Sequence, residues 1–228
     1  MKIKFTILWI ALVLTSELFS QEIQKPNYEQ IKLEISDKSS SFYYPKLVEK
    51  IIKLDTTMTT EEYRNLYYGF IFNDDYKPYA NTSQYDELLE ISNSDKELTK
   101  KDYTKYISLA QKSLIEFPID LRLMNMLAYF YSLDGQKEKS DRLSSIFQSL
   151  LRTIISSGDG TTCETSFHVI SVSHEYVLMM MFEMDHVSQS LTGNCDYLEL
   201  EKNKYTIDGL YFNISKLQER NLELLKNK

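Results

Sequence analysis

From Asn27 to Ile155 the apolar positions recur at helical spacing. Tyr63, Leu66, Tyr67 and Phe70 stand at i, i+3, i+4 and i+7, the positions that share one face of a helix. Thr59 and Glu62 just ahead of them have the spacing of a capping box. Pro45 suits the first turn of an earlier helix that carries Leu47, Val48, Ile51 and Leu54. Thr99 with Asp102 opens another, with Tyr103, Tyr106, Ile107, Ala110, Leu114 and Phe117 as its stripe, and Pro118 ends it. Asp120 is placed to cap the next helix, which runs to about Leu133 and stops at Asp134-Gly135. A long helix follows, carrying Leu143, Ile146, Phe147, Leu150, Leu151 and Ile154. Asn73-Asp74-Asp75 and Asn81-Thr82-Ser83 read as loops.

After the turn cluster Ser156-Ser157-Gly158-Asp159-Gly160 the pattern changes. Phe167 to Val172 and Tyr176 to Phe182 are short apolar runs joined by Ser173-His174-Glu175, which predicts a hairpin of two strands. Period alone also admits a helix for the Met-rich second run. Tyr197 to Leu200 and Leu210 to Ile214 read as two further strands, and Ser215 caps a closing helix to about Leu225. The expectation is an α+β chain: a helical part, 21–157, packed on a small antiparallel sheet with a closing helix, 158–228. The junction has no charged or proline-rich spacer, and the second part is too small to cover its own sheet, so 21–228 is expected to be one domain.

The first twenty residues read differently. Lys2 and Lys4 precede an uncharged apolar run of Phe5 to Leu14, too short to span a bilayer, which needs about 20 apolar residues. Ser20 is a small residue before Gln21, so 1–20 reads as a signal peptide cleaved between them. The expected destination is the periplasm or the exterior. No second long apolar run follows, so no membrane span is expected in the mature chain.

Composition narrows the chemistry. A net charge of −7 gives no broad electrostatic footprint for nucleic acid. Two cysteines exclude a disulfide-dense scaffold and a four-thiolate zinc site. Cys163 and Cys195 are read as a bridge, as inert thiols or as a reactive thiol, and these remain open; a bridge would contribute about 3–4 kcal/mol. Cys163, His168, His174, Cys195 and Asp196 are potential ligands, but no spacing places two together and no metal is expected. No Gly-x-Ser-x-Gly, His-Glu-x-x-His, phosphate loop or dinucleotide fingerprint occurs, so no catalytic residue is assigned and no cofactor is expected. The 17 tyrosines stand out against a single tryptophan. Tyr63 and Tyr67 belong to an apolar stripe, whereas Tyr44, Tyr68, Tyr76 and Tyr79 lie off it and form a candidate ligand surface.

Residues 113–140 resemble one tetratricopeptide unit: Met124, Leu127, Ala128, Tyr131, Gly135 and Ser140 occupy its large, small, aromatic and glycine positions. The resemblance implies a helix pair whose outward residues are Arg122, Asn125, Tyr129 and Ser132. The mature chain is also similar to an exported bacterial family catalogued as domain of unknown function 4919. PNYEQI (Pro26–Ile31), YYPKL (Tyr43–Leu47), EEYRNLYYGF (Glu61–Phe70), DYKPY (Asp75–Tyr79), FHVISVSHEY (Phe167–Tyr176), CDYLEL (Cys195–Leu200) and GLYFNIS (Gly209–Ser215) carry the likeness. It implies export and a compact domain, and brings no activity, cofactor or catalytic residue. The functional expectation is a non-catalytic binding or interaction module of the cell envelope, with an envelope protein or glycan as partner. The alternative is an enzyme or metal-binding protein that uses His168, His174 and Asp196.

Overall fold

The computed structural model describes residues 22–226. The predicted signal peptide and its cleavage point lie outside the described residues.

Seven helices come first. Helices α1 (Tyr28–Ser36), α2 (Tyr44–Ile52) and α3 (Thr60–Gly69) are followed by a 3-10 turn, Phe70–Phe72. Then come α4 (Tyr85–Ser92), α5 (Lys100–Glu116), α6 (Leu121–Leu133) and α7 (Lys137–Ile155). Their starts are set locally. Thr59 and Glu62 close a reciprocal capping box on α3, Thr99 and Asp102 close one on α5, and the Asp120 carboxylate accepts from Leu123 N–H (3.0 Å) at the head of α6. Pro45 lies in the first turn of α2, where a missing N–H costs nothing. Helices α6 and α7 are joined by a tight turn and pack on each other as the helix pair read from residues 113–140. Ser140, small enough to sit against α6, donates from Oγ to the Ala128 carbonyl (2.7 Å).

The second part departs from the predicted hairpin. Only Phe167–His168 is strand (β1), and Val172–Phe182 is a helix, α8, capped by Ser171 and ended by Glu183 in the left-handed conformation. The reason lies in its burial. His174, Glu175, Val177, Leu178 and Met179 are all buried, so no polar face alternates with the apolar one and the sequence offers no period. Strands β2 (His186–Thr192), β3 (Cys195–Leu200) and β4 (Gly209–Asn213) follow, then α9 (Ser215–Lys226). The sheet order is β1-β4-β3-β2; β2/β3 and β3/β4 are antiparallel and the short β1/β4 pairing is parallel. Strand β2 is a further departure, since the pattern of apolar runs assigns it no element. It is held by the two-residue turn Gly193-Asn194, with Gly193 at φ 62°, the positive value such a hairpin requires.

One buried cluster runs from Ile31 and Leu47 through α3, α5, α6 and α7 to Phe167, Leu178, Leu198, Phe212 and Leu217. Polar ties cross the same boundary. Arg64 on α3 donates to Ser156 Oγ (3.3 Å) and the Gln24 carbonyl (3.0 Å). Arg220 on α9 donates to the Tyr76 and Asp74 carbonyls (3.0 and 2.8 Å). At the junction, a Cβ on Gly158 would stand 2.3 Å from the Thr165 and Ser166 carbonyls, so the chain there approaches itself as only glycine permits. A disulfide joins Cys163 to Cys195, with Cα atoms 5.8 Å apart, and it closes a loop that contains all of α8.

Candidate functional site

The tyrosine excess has a structural use. Tyr28 meets Tyr68 edge-on (5.9 Å between centroids), Tyr68 meets Tyr67 (4.9 Å), and Tyr67 meets His174 (5.5 Å). The series continues through Phe117 (5.7 Å), Phe70 (5.0 Å) and Tyr76 (5.6 Å). This is an aromatic seam between the helical part and α8. Each buried hydroxyl in it needs a partner. Tyr67 shares a hydrogen bond with His174 Nδ1 (2.8 Å), Tyr68 donates to the Thr153 carbonyl (3.3 Å), and Tyr76 donates to the Ile170 carbonyl (2.8 Å).

The seam corrects the candidate tyrosine surface. Tyr68 and Tyr76 are fully buried, and burial raises both phenols, Tyr68 to about 12. Tyr44 is half-buried; its hydroxyl has no hydrogen-bond partner and burial raises its pKa as well. Tyr79 alone of the four is open to solvent, at 55% exposure. Lying off a helical stripe does not free these side chains, because the C-terminal part covers the other side.

Tyr76, Phe70 and Phe117 end the seam at a cleft of about 410 Å³. Its rim is polar: Asp75, Lys77, Asn81, Ser83, Glu116 and Ser171. The rim is partly ordered, since Ser83 N–H donates to Glu116 Oε2 (3.0 Å). A second cavity, about 130 Å³, lies between α4, α5 and α6 and contains Tyr85, Tyr106, Asp120, Arg122 and Met126 in its wall. Thr82 lines both, and its hydroxyl is hydrogen-bonded to Ser113 Oγ. The two spaces therefore flank one residue. Burial raises the Asp120 carboxyl, against the Leu123 N–H and the Arg122 charge, which pull it down. Arg122, Asn125, Tyr129 and Ser132 are all exposed along α6, and Arg122 leads from that face into the second cavity.

The three residues of the predicted polar site are not brought together. His174 is buried against Tyr67 and Phe117, and loss of solvent lowers its pKa to about 3. His168 lies beside Tyr28, and burial, with the charges of Lys25 and Arg64, lowers it to about 4. Asp196 instead accepts from Gln189 Nε2 (3.1 Å), and Gln189 Oε1 accepts from the Tyr176 hydroxyl (2.9 Å). Its neighbour is a residue that sequence reasoning missed, Glu175. That carboxyl is 0% exposed, neither oxygen has a hydrogen-bond partner, and burial with the nearby Asp196 charge raises it to about 9. At neutral pH it is a carboxylic acid. The signal was faint: Glu175 follows His174 in a run otherwise read as a turn, and Asp196 is twenty-one positions on. Among the described residues no group of three or more His, Cys, Asp or Glu side chains is placed to hold a metal ion. Among them too, no helix is long and apolar enough to cross a membrane.

No curated protein and no solved structure matches the chain. A family pattern does, over residues 29–223, from the first helix into the last. The chain therefore belongs to the family described as a domain of unknown function (DUF4919).

Proposed function

We propose that this protein is an exported, non-catalytic binding module of the cell envelope, and that it takes an extended ligand, a segment of an envelope protein or glycan, along the groove around Thr82. The observation that carries the reading is the pair of cavities sharing Thr82. Together they lead from an aromatic floor at Phe70, Tyr76 and Phe117, past a polar rim, to the exposed face of α6 at Arg122. Aromatic floors with a few polar groups on the rim suit peptide and sugar segments. Tyr129 and Asn125 extend that face beyond the cavity and supply a rigid aromatic and an adaptable amide. The signal-peptide reading of residues 1–20, cleaved between Ser20 and Gln21, supports delivery to the periplasm or the exterior. Co-purification from envelope extracts tests the proposal. The wild type should retain a partner that the Arg122→Glu/Tyr129→Ala double variant loses while keeping its melting temperature. A wild type and variant that capture the same material refute it.

A second reading rests on Glu175. A neutral carboxylic acid beside Asp196 could give up and regain a proton, the work of a general acid in an enzyme. Glu175→Gln keeps the shape and removes that proton. Unchanged turnover in this variant, for any activity found in the purified protein, excludes the enzymatic use of the pair.

A further inference from the structure

Strand β2 ends the sheet, and nothing among the described residues pairs with its outer edge. All seven of its residues are exposed. An edge strand presents a row of unpaired N–H and C=O groups, which proteins commonly guard with charge, proline or irregularity. Here His186–Thr192 contains no Lys, Arg, Asp, Glu or Pro. Its one guard is a register shift between His186 and Ser188, at the far end from the turn. The ladder with β3 is regular from Ser188 to Thr192, so five residues in flat register are left open. Apolar surface lies beside them: Leu191 is 62% exposed, and Tyr176 and Met180, one turn apart on α8, are exposed next to Gln189.

We infer that β2 is a self-association edge, at which a second copy of this chain adds its own β2 in antiparallel register about a two-fold axis through Ser190. The centre of the regular run fixes that axis. Around it, Ser188 of one copy faces Thr192 of the other, Gln189 faces Leu191, and Ser190 faces itself. Hydroxyl pairs opposite one another stabilise antiparallel strands, and an aliphatic beside a long amide fits the same spacing. A two-fold requires a surface complementary to itself, and an uncharged edge meets that condition in a chain whose net charge is −7. The same neutrality would not favour a charged partner. The pairing joins two four-stranded sheets into one of eight and removes both open edges. It makes no use of the groove around Thr82, so the two proposals stand or fall separately.

Light scattering on the purified protein at tens of micromolar tests it. The wild type should have the mass of two chains, and Leu191→Lys, at an exposed position, the mass of one. Register is tested by two double variants on the outer side of β2. Ser188→Lys with Thr192→Lys sets like charges opposite each other and should weaken association about tenfold or more. Ser188→Lys with Thr192→Glu sets opposite charges together twice and should hold the dimer, more tightly at low salt. The ammonium that Ser188→Lys introduces can also reach Glu199, which Ser188 Oγ already touches at 2.7 Å. It does so in both double variants alike, so the difference between them reports the contact between copies. A monomeric wild type overturns the inference, as do two double variants of equal mass. Equal melting temperatures for the monomeric forms exclude misfolding as the cause.

Discussion

Helix α7 buries one stripe, Leu143, Ile146, Phe147, Leu150, Leu151 and Ile154, and sends Lys137, Glu138, Lys139 and Arg142 to the solvent side. Helix α8 is packed against α6, touches β1 through Phe182 and Phe167, and reaches β2 through Tyr176 and Gln189. A helix covered on one side can put its polar residues in water. One held between two layers has to bury some of them, and each must then find a partner or lose its charge. Adjacent residues of α8 show both outcomes. His174 finds Tyr67, while Glu175 finds nothing and is held neutral. The difference locates the polar chemistry of this molecule in its wedge and leaves α7 as packing.

The largest test of that contrast is a deletion in each helix. Leu150 on α7 and Leu178 on α8 are both 0% exposed, and either Leu→Ala change should cost about 2–5 kcal/mol. If α8 binds the helical part to the sheet, Leu178→Ala should lower one melting transition seen alike in helix and aromatic signals. Two transitions, or cutting at Gly158 by a protease into two stable fragments, would show the parts to be separable.

Next comes the bridge, which encloses α8 and leaves α7 outside. Reducing Cys163–Cys195, 32 residues apart, should remove about 3–4 kcal/mol by the loop-entropy argument and lower the melting temperature by roughly 10 °C. Leu150→Ala should lose the same amount again on reduction, since the two effects are distant. Two labelled thiols in freshly purified, unreduced protein would show that no bridge forms.

How readily each helix could be read from sequence follows from the same contrast. The stripe of α7, the boxes at Thr59–Glu62 and Thr99–Asp102 and the Asp120 cap are local, and local chemistry is printed in neighbouring residues. In α8 the run Tyr176 to Phe182 is apolar with no gap, so periods of two and of 3.6 fit equally and nothing in it opposes a strand. Strand β2 is exposed along its whole length and owes its conformation to the turn at Gly193-Asn194 and to β3, which no hydrophobic pattern records. The candidate site divides in the same way. The outward face Arg122, Asn125, Tyr129 and Ser132 followed from helical spacing alone, whereas the burial of Tyr68 and Tyr76 and the meeting of Glu175 with Asp196 depend on chain far away.

A smaller effect, and a signed one, comes from pH. Glu175 has a folded pKa of about 9 against about 4.5 unfolded, so the stability it contributes is full below 4.5 and is lost as pH rises toward 9. His174 and His168, at about 3 and about 4 against about 6.5, contribute stability that is full above 6.5 and is lost as pH falls. Two histidines outweigh one carboxyl below 6.5, which places maximum stability near that pH. Above it the wild type should lose about 1.4 kcal/mol per pH unit, and Glu175→Gln should make the curve flat between 6.5 and 9. A variant with the wild-type slope would show that Glu175 is ionised in the folded protein.

The smallest expected effect isolates the partner that His174 has and Glu175 lacks. With the Tyr67 hydroxyl donating to Nδ1, the neutral ring carries its own proton on Nε2, on the side of the Ile119 main chain. Tyr67→Phe removes the donor and leaves a buried acceptor unmet, a loss of about 1–2 kcal/mol. His174→Leu removes the acceptor and leaves a buried phenol unmet, at similar cost. If the bond is what matters, the double variant should be less destabilised than the sum of the two, by about 1 kcal/mol, because no unmet group then remains. The acid limb discriminates further. Tyr67→Phe should leave the slope below pH 6.5 intact, since the ring still has to be charged inside the core, while His174→Leu should roughly halve it, leaving His168 alone to titrate. Additive losses with an unchanged acid limb would mean that His174 is a packing residue whose polarity the wedge of α8 does not need.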